Sequence, residues 1–128
     1  MEIMTAGVIR NNAQQVLLVR RTPDQLLGGY WEFPGRKVES NETEKDCLKR
    51  ELKEELSIDV NVGQLFYDSR YVYDHGELLL KACEAELING EATLHVHDML
   101  DWVKPQALQH YRRAPADIPI AIRLVEVP

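Results

Sequence analysis

The sequence predicts an α/β layered domain. Three observations carry that expectation. A leucine-striped helical pattern runs over residues 43–56, apolar β-branched stretches flank it on both sides, and a second helical pattern closes the chain at residues 117–126. Strands with a central and a terminal helix pack as layers rather than as a helix bundle or an all-β sandwich. At 128 residues the chain fits a single domain, residues 1–128, large enough to bury its own core.

Taken in order, residues 3–10 and 15–20 are apolar strands around the polar turn Asn11-Asn12-Ala13, read as a hairpin or a pair of neighbouring strands. Residues 22–30, with Pro23, Gly28 and Gly29, are a loop. A short apolar piece, Trp31-Glu32-Phe33, ends at Pro34-Gly35. Thr43 opens the central helix as N-cap, with Asp46 as a short-armed capping-box partner. Leu48, Leu52 and Leu56 recur every fourth residue and mark its buried stripe. Residues 58–73 and 77–88 are two long strands joined by Asp74-His75-Gly76. Asn89-Gly90 is a strong hairpin turn leading into a strand at 91–97. Pro105 opens a short helix over 105–111. In the terminal helix Asp117 is a candidate N-cap, with Ile118, Ile122 and Val125 on one side.

The formal charge of −6 argues against a nucleic-acid polymer or a membrane surface as partner, since either needs a basic face. A small anionic ligand is still compatible, held by local cations or through a metal. No apolar run is long enough to span a bilayer, and residues 1–10 lack a secretory signal pattern. Cys47 and Cys83 have no metal-ligand spacing and read as free thiols of a reducing cytoplasm, not as zinc ligands.

Glu51, Glu54 and Glu55 lie at i, i+3 and i+4 of the central helix and project from one face, bordering the leucine stripe. Three clustered carboxylates repel one another, and a hard cation such as Mg²⁺, or Mn²⁺ in its place, relieves that repulsion. Magnesium so held keeps waters and binds substrate phosphates. The same stretch carries Lys45, Lys49, Arg50 and Lys53, and a helix rich in Glu and Lys also reads as a solvated face. The segment before the helix decides between the two.

Residues 34–58, PGRKVESNETEKDCLKRELKEELSI, resemble the Nudix box, G-x5-E-x7-R-E-U-x-E-E-x-G-U with U a bulky aliphatic residue. Glu42, Arg50, Glu51, Leu52, Glu54, Glu55 and Ile58 match in type and spacing. The approach Gly29-Tyr30-Trp31-Glu32-Phe33-Pro34-Gly35-Arg36-Lys37 and the segment Asp101-Trp102-Val103-Lys104-Pro105 resemble the MutT-like branch. Residues 113–119, RAPADIP, are similar to the tail of bacterial CTP pyrophosphohydrolases. The resemblance implies a Nudix-type α/β/α sandwich with a mixed sheet and a catalytic loop-helix-loop. It implies a magnesium-dependent hydrolase that splits nucleoside triphosphates, CTP- or dCTP-like or oxidised, into monophosphate and pyrophosphate. Glu54 and Glu55 would be the main metal ligands, joined by the backbone carbonyl of Arg36. Glu51 would be a further ligand or the base that activates water, oriented by Arg50, and Glu42 would help hold metal and water. Arg21 and Lys37 would neutralise phosphate charge. Trp31 and Phe33 would flank the base, with core packing the alternative for at least one of them. Glu32 would contact the base edge or stand as a strand-end surface carboxylate. Asp117 would read the base edge, act as helix cap, or do both.

Three positions depart from the pattern. Arg36 stands for a Gly, which implies backbone strain on the order of 1 kcal/mol or more if a left-handed φ is required. Its guanidinium would either fall onto the Glu cluster or bind phosphate. Ser57 stands for the helix-ending Gly and is expected to strain or reshape the cap. Val96 stands where many relatives carry a Glu, and His95 and His97 beside it are expected to be surface strand histidines. Two other readings follow: a Nudix hydrolase of nucleoside diphosphate derivatives, and a Nudix-fold module that binds nucleotides without catalysis. The sequence is compatible with a monomer or a homodimer.

Overall fold

Alternating burial along the first two strands sets the layers of the fold. β1 (Glu2–Ile9) and β2 (Val16–Arg20) are apolar on both faces. Val8, Val16 and Leu18 enter one core, whereas Ile9, Leu17 and Val19 enter another. Strands buried on both faces need a covering layer on each side. The computed structural model, which describes residues 1–74 and 76–127, supplies those layers as two helices.

α1 (Glu44–Leu56) covers one side. Thr43 Oγ1 accepts from the Asp46 N–H at 3.1 Å, satisfying an otherwise orphaned donor of the first turn. Leu48, Leu52 and Leu56 are fully buried against Ile9, Leu17 and Val19. Each such side chain contributes about 1.5–3 kcal/mol by leaving water. α2 (Ile118–Glu126) covers the other side, packing with Val8, Val16 and Leu18. Its buried face is Ile120, Ala121 and Leu124, not the expected Ile118/Ile122/Val125 side; Ile122 is 53% exposed. This helix is apolar nearly all round, so periodicity could not choose the face, and packing did.

The remaining strands are β3 (Trp31–Glu32), β4 (Asp59–Tyr73), β5 (Gly76–Asn89) and β6 (Met99–Val103). They form two three-stranded sheets, β1-β5-β4 and β3-β2-β6. The first is mixed, with β1 parallel and β4 antiparallel to β5, and the second is antiparallel. The α/β/α arrangement therefore holds, with its strands divided between two sheets. Among the described residues β1 and β2 form no ladder; the turn at Asn11 joins them through the Arg10–Val16 bridge and the Asn11 N–H to Gln15 O bond. Of the expected Asp74-His75-Gly76 connection, His75 lies outside the described residues. The helix expected over 105–111 is a 3-10 turn, Pro105–His110. No described helix is long and apolar enough to cross a membrane.

The expected strand at 91–97 is absent, although its polar and apolar residues alternate. The ladder of β5 ends at Asn89, opposite Asp59, and Gly90 turns the chain away with φ +96°. The following segment is tied to the end of α1 instead. The Thr93 N–H donates to Leu56 O at 2.9 Å, and His95 Nε2 is hydrogen-bonded to Ser57 Oγ at 2.7 Å. Alternation in a segment with no strand partner does not specify faces. The buried residue here is His97.

Candidate active site

The site begins on the solvent-facing edge of α1. Arg50 gathers the acids around it. Its Nε and Nη2 donate to the two oxygens of Glu42 at 3.1 and 2.9 Å, a forked pair. Its Nη1 donates to Glu51 Oε1 at 2.7 Å and to Glu54 Oε2 at 3.3 Å. Glu42 also accepts the Glu39 N–H at 2.9 Å, fixing the loop that enters the helix. The guanidinium first, and that backbone donor second, lower the Glu42 carboxyl to about 2. The same bonds raise Arg50 above its already high value.

Glu55 is the exception in this cluster. Its side chain is only 4% exposed, and Oε1 is buried with no hydrogen-bond partner. Burial pushes its carboxyl up to about 8; Glu51 and Glu32 add to the rise, and the nearby Arg36 cation opposes it. Glu54, by contrast, is 61% exposed. Among the described residues no three His, Cys, Asp or Glu side chains converge as a ready-made metal cage. Glu51 and Glu54 turn instead toward Arg50, which supplies the cluster's positive charge. The donor set still suits a hard divalent ion. Glu51, Glu54 and Glu55 are carboxylates on one helical face, and the unpartnered Glu55 oxygen is one that a cation would satisfy.

The loop before the helix is fastened to β1. The Arg36 carbonyl accepts from the Thr5 N–H at 2.8 Å and the Thr5 hydroxyl at 3.1 Å. Arg36 has no positive φ, so the strain expected at this position is absent. The tight position is Gly35, where an added Cβ would lie 2.1 Å from the Thr5 carbonyl oxygen. The expected strain at Ser57 is present: it closes α1 in the left-handed region, φ 56° and ψ 36°, and its hydroxyl gains the bond to His95.

Beside the cluster is a cavity of about 420 Å³, lined by Arg21, Glu32, Phe33, Gly35, Tyr71 and Asp117 among others. Asp117 is buried in its lining and accepts the Phe33 N–H at 3.0 Å. It stands at the N-cap position of α2, as expected, but its side chain makes no cap bond there and turns instead to the Phe33 N–H. Burial, reinforced by Glu32, raises this carboxyl well above its ordinary range, against the opposing pull of the Phe33 N–H and Arg21. Glu32 is held on one side by Arg21 Nη1, 3.1 and 3.3 Å from its two oxygens, and on the other by His97 Nε2 at 3.1 Å.

The structure thus places the expected residues in two groups. Arg50, Glu51, Glu54 and Glu55 lie on α1, with Glu42 joined to them from the preceding loop through Arg50, and Glu32, Phe33, Arg21 and Asp117 share the cavity. Arg21 also donates to Leu26 O at 2.6 Å, so its guanidinium is committed to the cavity wall. Lys37 stands apart, exposed and 3.6 Å from Glu2. Sequence reasoning missed Tyr71 on β4, which lines the cavity, and His97, whose sequence signal was the alternating pattern that placed it on a surface.

An α/β/α sandwich carries an arginine-organised carboxylate helix beside a cavity with charged and aromatic residues in its lining. The chain belongs to the Nudix hydrolase family: the family model described as a NUDIX domain matches residues 5–122. It is 34% identical over 119 residues to the CTP pyrophosphohydrolase of Escherichia coli K12, covering 93% of this chain and 87% of that protein. It is 28% identical over 121 residues to the 8-oxo-dGTP diphosphatase of the same organism, covering 94% of each. The solution structure of the E. coli ORF135 protein matches 99% of this chain and 90% of its own, with a TM-score of 0.86 and 31% identity. Hydrolases of this family generally use divalent metal ions.

Proposed function

We propose that the protein is a magnesium-dependent pyrophosphohydrolase of nucleoside triphosphates, with the base in the cavity and the phosphates over the α1 carboxylates. The observation that carries this reading is Glu55, a buried carboxylate with an unpartnered oxygen, near Glu51 on the helix and near Glu32 in the wall of a cavity of about 420 Å³. The similarity to a CTP pyrophosphohydrolase and an 8-oxo-dGTP diphosphatase supports the triphosphate substrate.

Glu54 and Glu55 would hold the ion, with Glu51 beside them. The Arg36 carbonyl would join only by sharing an oxygen that Thr5 already occupies twice. When bound, a divalent ion polarises the phosphates and lowers the pKa of water. Glu51, aimed by Arg50, would take the proton of the attacking water as the phosphoanhydride bond breaks. The products would be a nucleoside monophosphate and pyrophosphate. Asp117 and Glu32 would read the base edge: ionised, either carboxylate accepts from an amino group, and protonated, Asp117 donates to a carbonyl. Phe33 would wall the base. Two buried free thiols suit a reducing compartment, and we place the protein in the cytoplasm.

The test is incubation with Mg²⁺ and a panel of normal and oxidised nucleoside triphosphates, with Glu54→Gln as control. Monophosphate and pyrophosphate, lost in the control and on chelation of the metal, are the expected result. A folded protein that turns over no triphosphate would refute the reading. Turnover of nucleoside diphosphate derivatives alone would move the substrate to that class.

A further inference from the structure

His97 links the two halves of the site. Its side chain is 3% exposed. Nε2 lies 3.1 Å from Glu32 Oε2 in the cavity wall, and Nδ1 lies 3.9 Å from Glu55 Oε2 on α1. With Nε2–H donated to Glu32, Nδ1 faces Glu55 and has no hydrogen-bond partner, as Glu55 Oε1 has none. Buried polar atoms are nearly always paired, so two unpaired ones on adjacent side chains mark a place where something further binds. Nδ1 in this tautomer and the Glu55 carboxylate are both acceptors, so across their 3.9 Å separation one water donating to each would join them.

The chain around His97 is fixed at both ends. On one side, Thr93 and His95 are bonded to Leu56 and Ser57 at the end of α1. On the other, the Asp98 N–H donates to Arg20 O at 3.2 Å, and Arg20 Nε donates to Asp98 Oδ1 at 2.8 Å, anchoring the segment to β2. The imidazole is therefore delivered between Glu32 and Glu55 by backbone with little freedom. It comes from the position next to Val96, not from Val96 itself.

We propose that His97 is a positioning residue that sets the Glu55 carboxylate relative to Glu32, so that the cavity and the helix carboxylates keep one spacing. The proposal rests on the reading above, in which Glu55 holds the divalent ion. Outer partners of ligating carboxylates are typically worth about 10- to 100-fold in metal affinity or activity.

The experiment compares wild type, His97→Ala, His97→Gln and Glu55→Gln. It reads Mn²⁺ binding without nucleotide by electron paramagnetic resonance, then kcat and KM with the preferred triphosphate, then thermal melting. His97→Ala is expected to weaken Mn²⁺ binding and lower kcat, each by roughly tenfold or more, while KM moves less than about threefold. His97→Gln keeps a hydrogen-bonding group and is expected to recover part of both losses; it also serves if His97→Ala does not fold. Unchanged Mn²⁺ affinity and kcat in a folded His97 variant, alongside loss of both in Glu55→Gln, would overturn the positioning role alone. A shift in melting temperature with metal affinity unchanged would also overturn it. Failure of wild type to bind Mn²⁺ would remove this proposal together with the function it rests on.

Discussion

The carboxylate face of α1 and the cavity beside it are built in opposite ways. The face is local: Arg50, Glu51, Glu54 and Glu55 lie within two turns of one helix, and their relations follow from helical geometry. The cavity is assembled from Arg21 and Glu32 around β2 and β3, Tyr71 on β4 and Asp117 before α2. The face is charged, and Arg50 balances much of it. The cavity is largely apolar, with a buried acid, Asp117, in its lining. Such a division suits an enzyme in which one half performs a common reaction and the other selects what undergoes it.

The largest expected effect separates these halves. Glu54→Gln or Glu55→Gln removes a carboxylate oxygen that, on the proposed function, would ligate the ion. That should cost several kcal/mol of transition-state stabilisation, on the order of 10³-fold in kcat. The loss should be similar for every base tested in steady-state assays. A loss confined to one base would break the division.

Asp117→Asn should act the other way, because it exchanges a carboxylate for an amide where the base edge would lie. Relative kcat/KM between bases is expected to change by roughly 10- to 100-fold, as a base-reading contact is worth about 1–3 kcal/mol. The Asn oxygen can still accept the Phe33 N–H, so folding should survive. Equal loss on all bases would give Asp117 a structural role only.

The carboxylate cluster is itself divided in its response to pH when metal is absent, with Glu55 and Glu42 shifted in opposite directions. Glu55 is raised to about 8 in the fold, above its ordinary value of 4.5, and Asp117 is raised in the same direction. The folded state therefore binds more protons than the unfolded state between those values. The contribution of Glu55 to stability falls as pH rises from about 4.5 to about 8. Glu42, lowered to about 2 beside Arg50, contributes stability that is present above 4.5 and lost as pH falls toward 2. Chelated protein should melt at progressively lower temperature between pH 5 and pH 8, and Glu55→Gln should flatten that slope. Added Mg²⁺ should stabilise most at the alkaline end, where the buried carboxylate is ionised.

The smallest effect concerns the end of α1. Ser57→Gly relieves a left-handed residue, worth about 1–2 kcal/mol, but loses the His95 bond, worth about 0.5–1.5 kcal/mol. The net change by chemical denaturation should lie within about 1 kcal/mol of zero. Ser57→Ala keeps the strain and loses the bond, so it should destabilise by about 1 kcal/mol. A gain on Ser57→Ala would show that the hydroxyl bond contributes nothing.

Legibility in the sequence followed the range of the interactions. The α1 cap at Thr43, the leucine stripe and the Arg50–glutamate spacing are set by residues within a few turns of one another, and each appears as expected. The 91–97 segment failed because alternation implies a strand only where a partner edge exists, and the β5 ladder ends at Asn89. The buried face of α2 was hidden for a related reason. Residues 118–125 are apolar on both sides, so only the shape of the opposing core selects Ile120, Ala121 and Leu124.

By itself the sequence determined the helix, its acids and the arginine that organises them, because i, i+3 and i+4 spacing converts directly into a common face. Only the tertiary structure decided that Asp117 points inward to the Phe33 N–H and that Gly35, not Arg36, is the tight residue. It also decided that His97 stands between Glu32 and Glu55. Those relations join segments tens of residues apart. No local pattern encodes them, because each depends on which backbone stretches the two cores bring into contact.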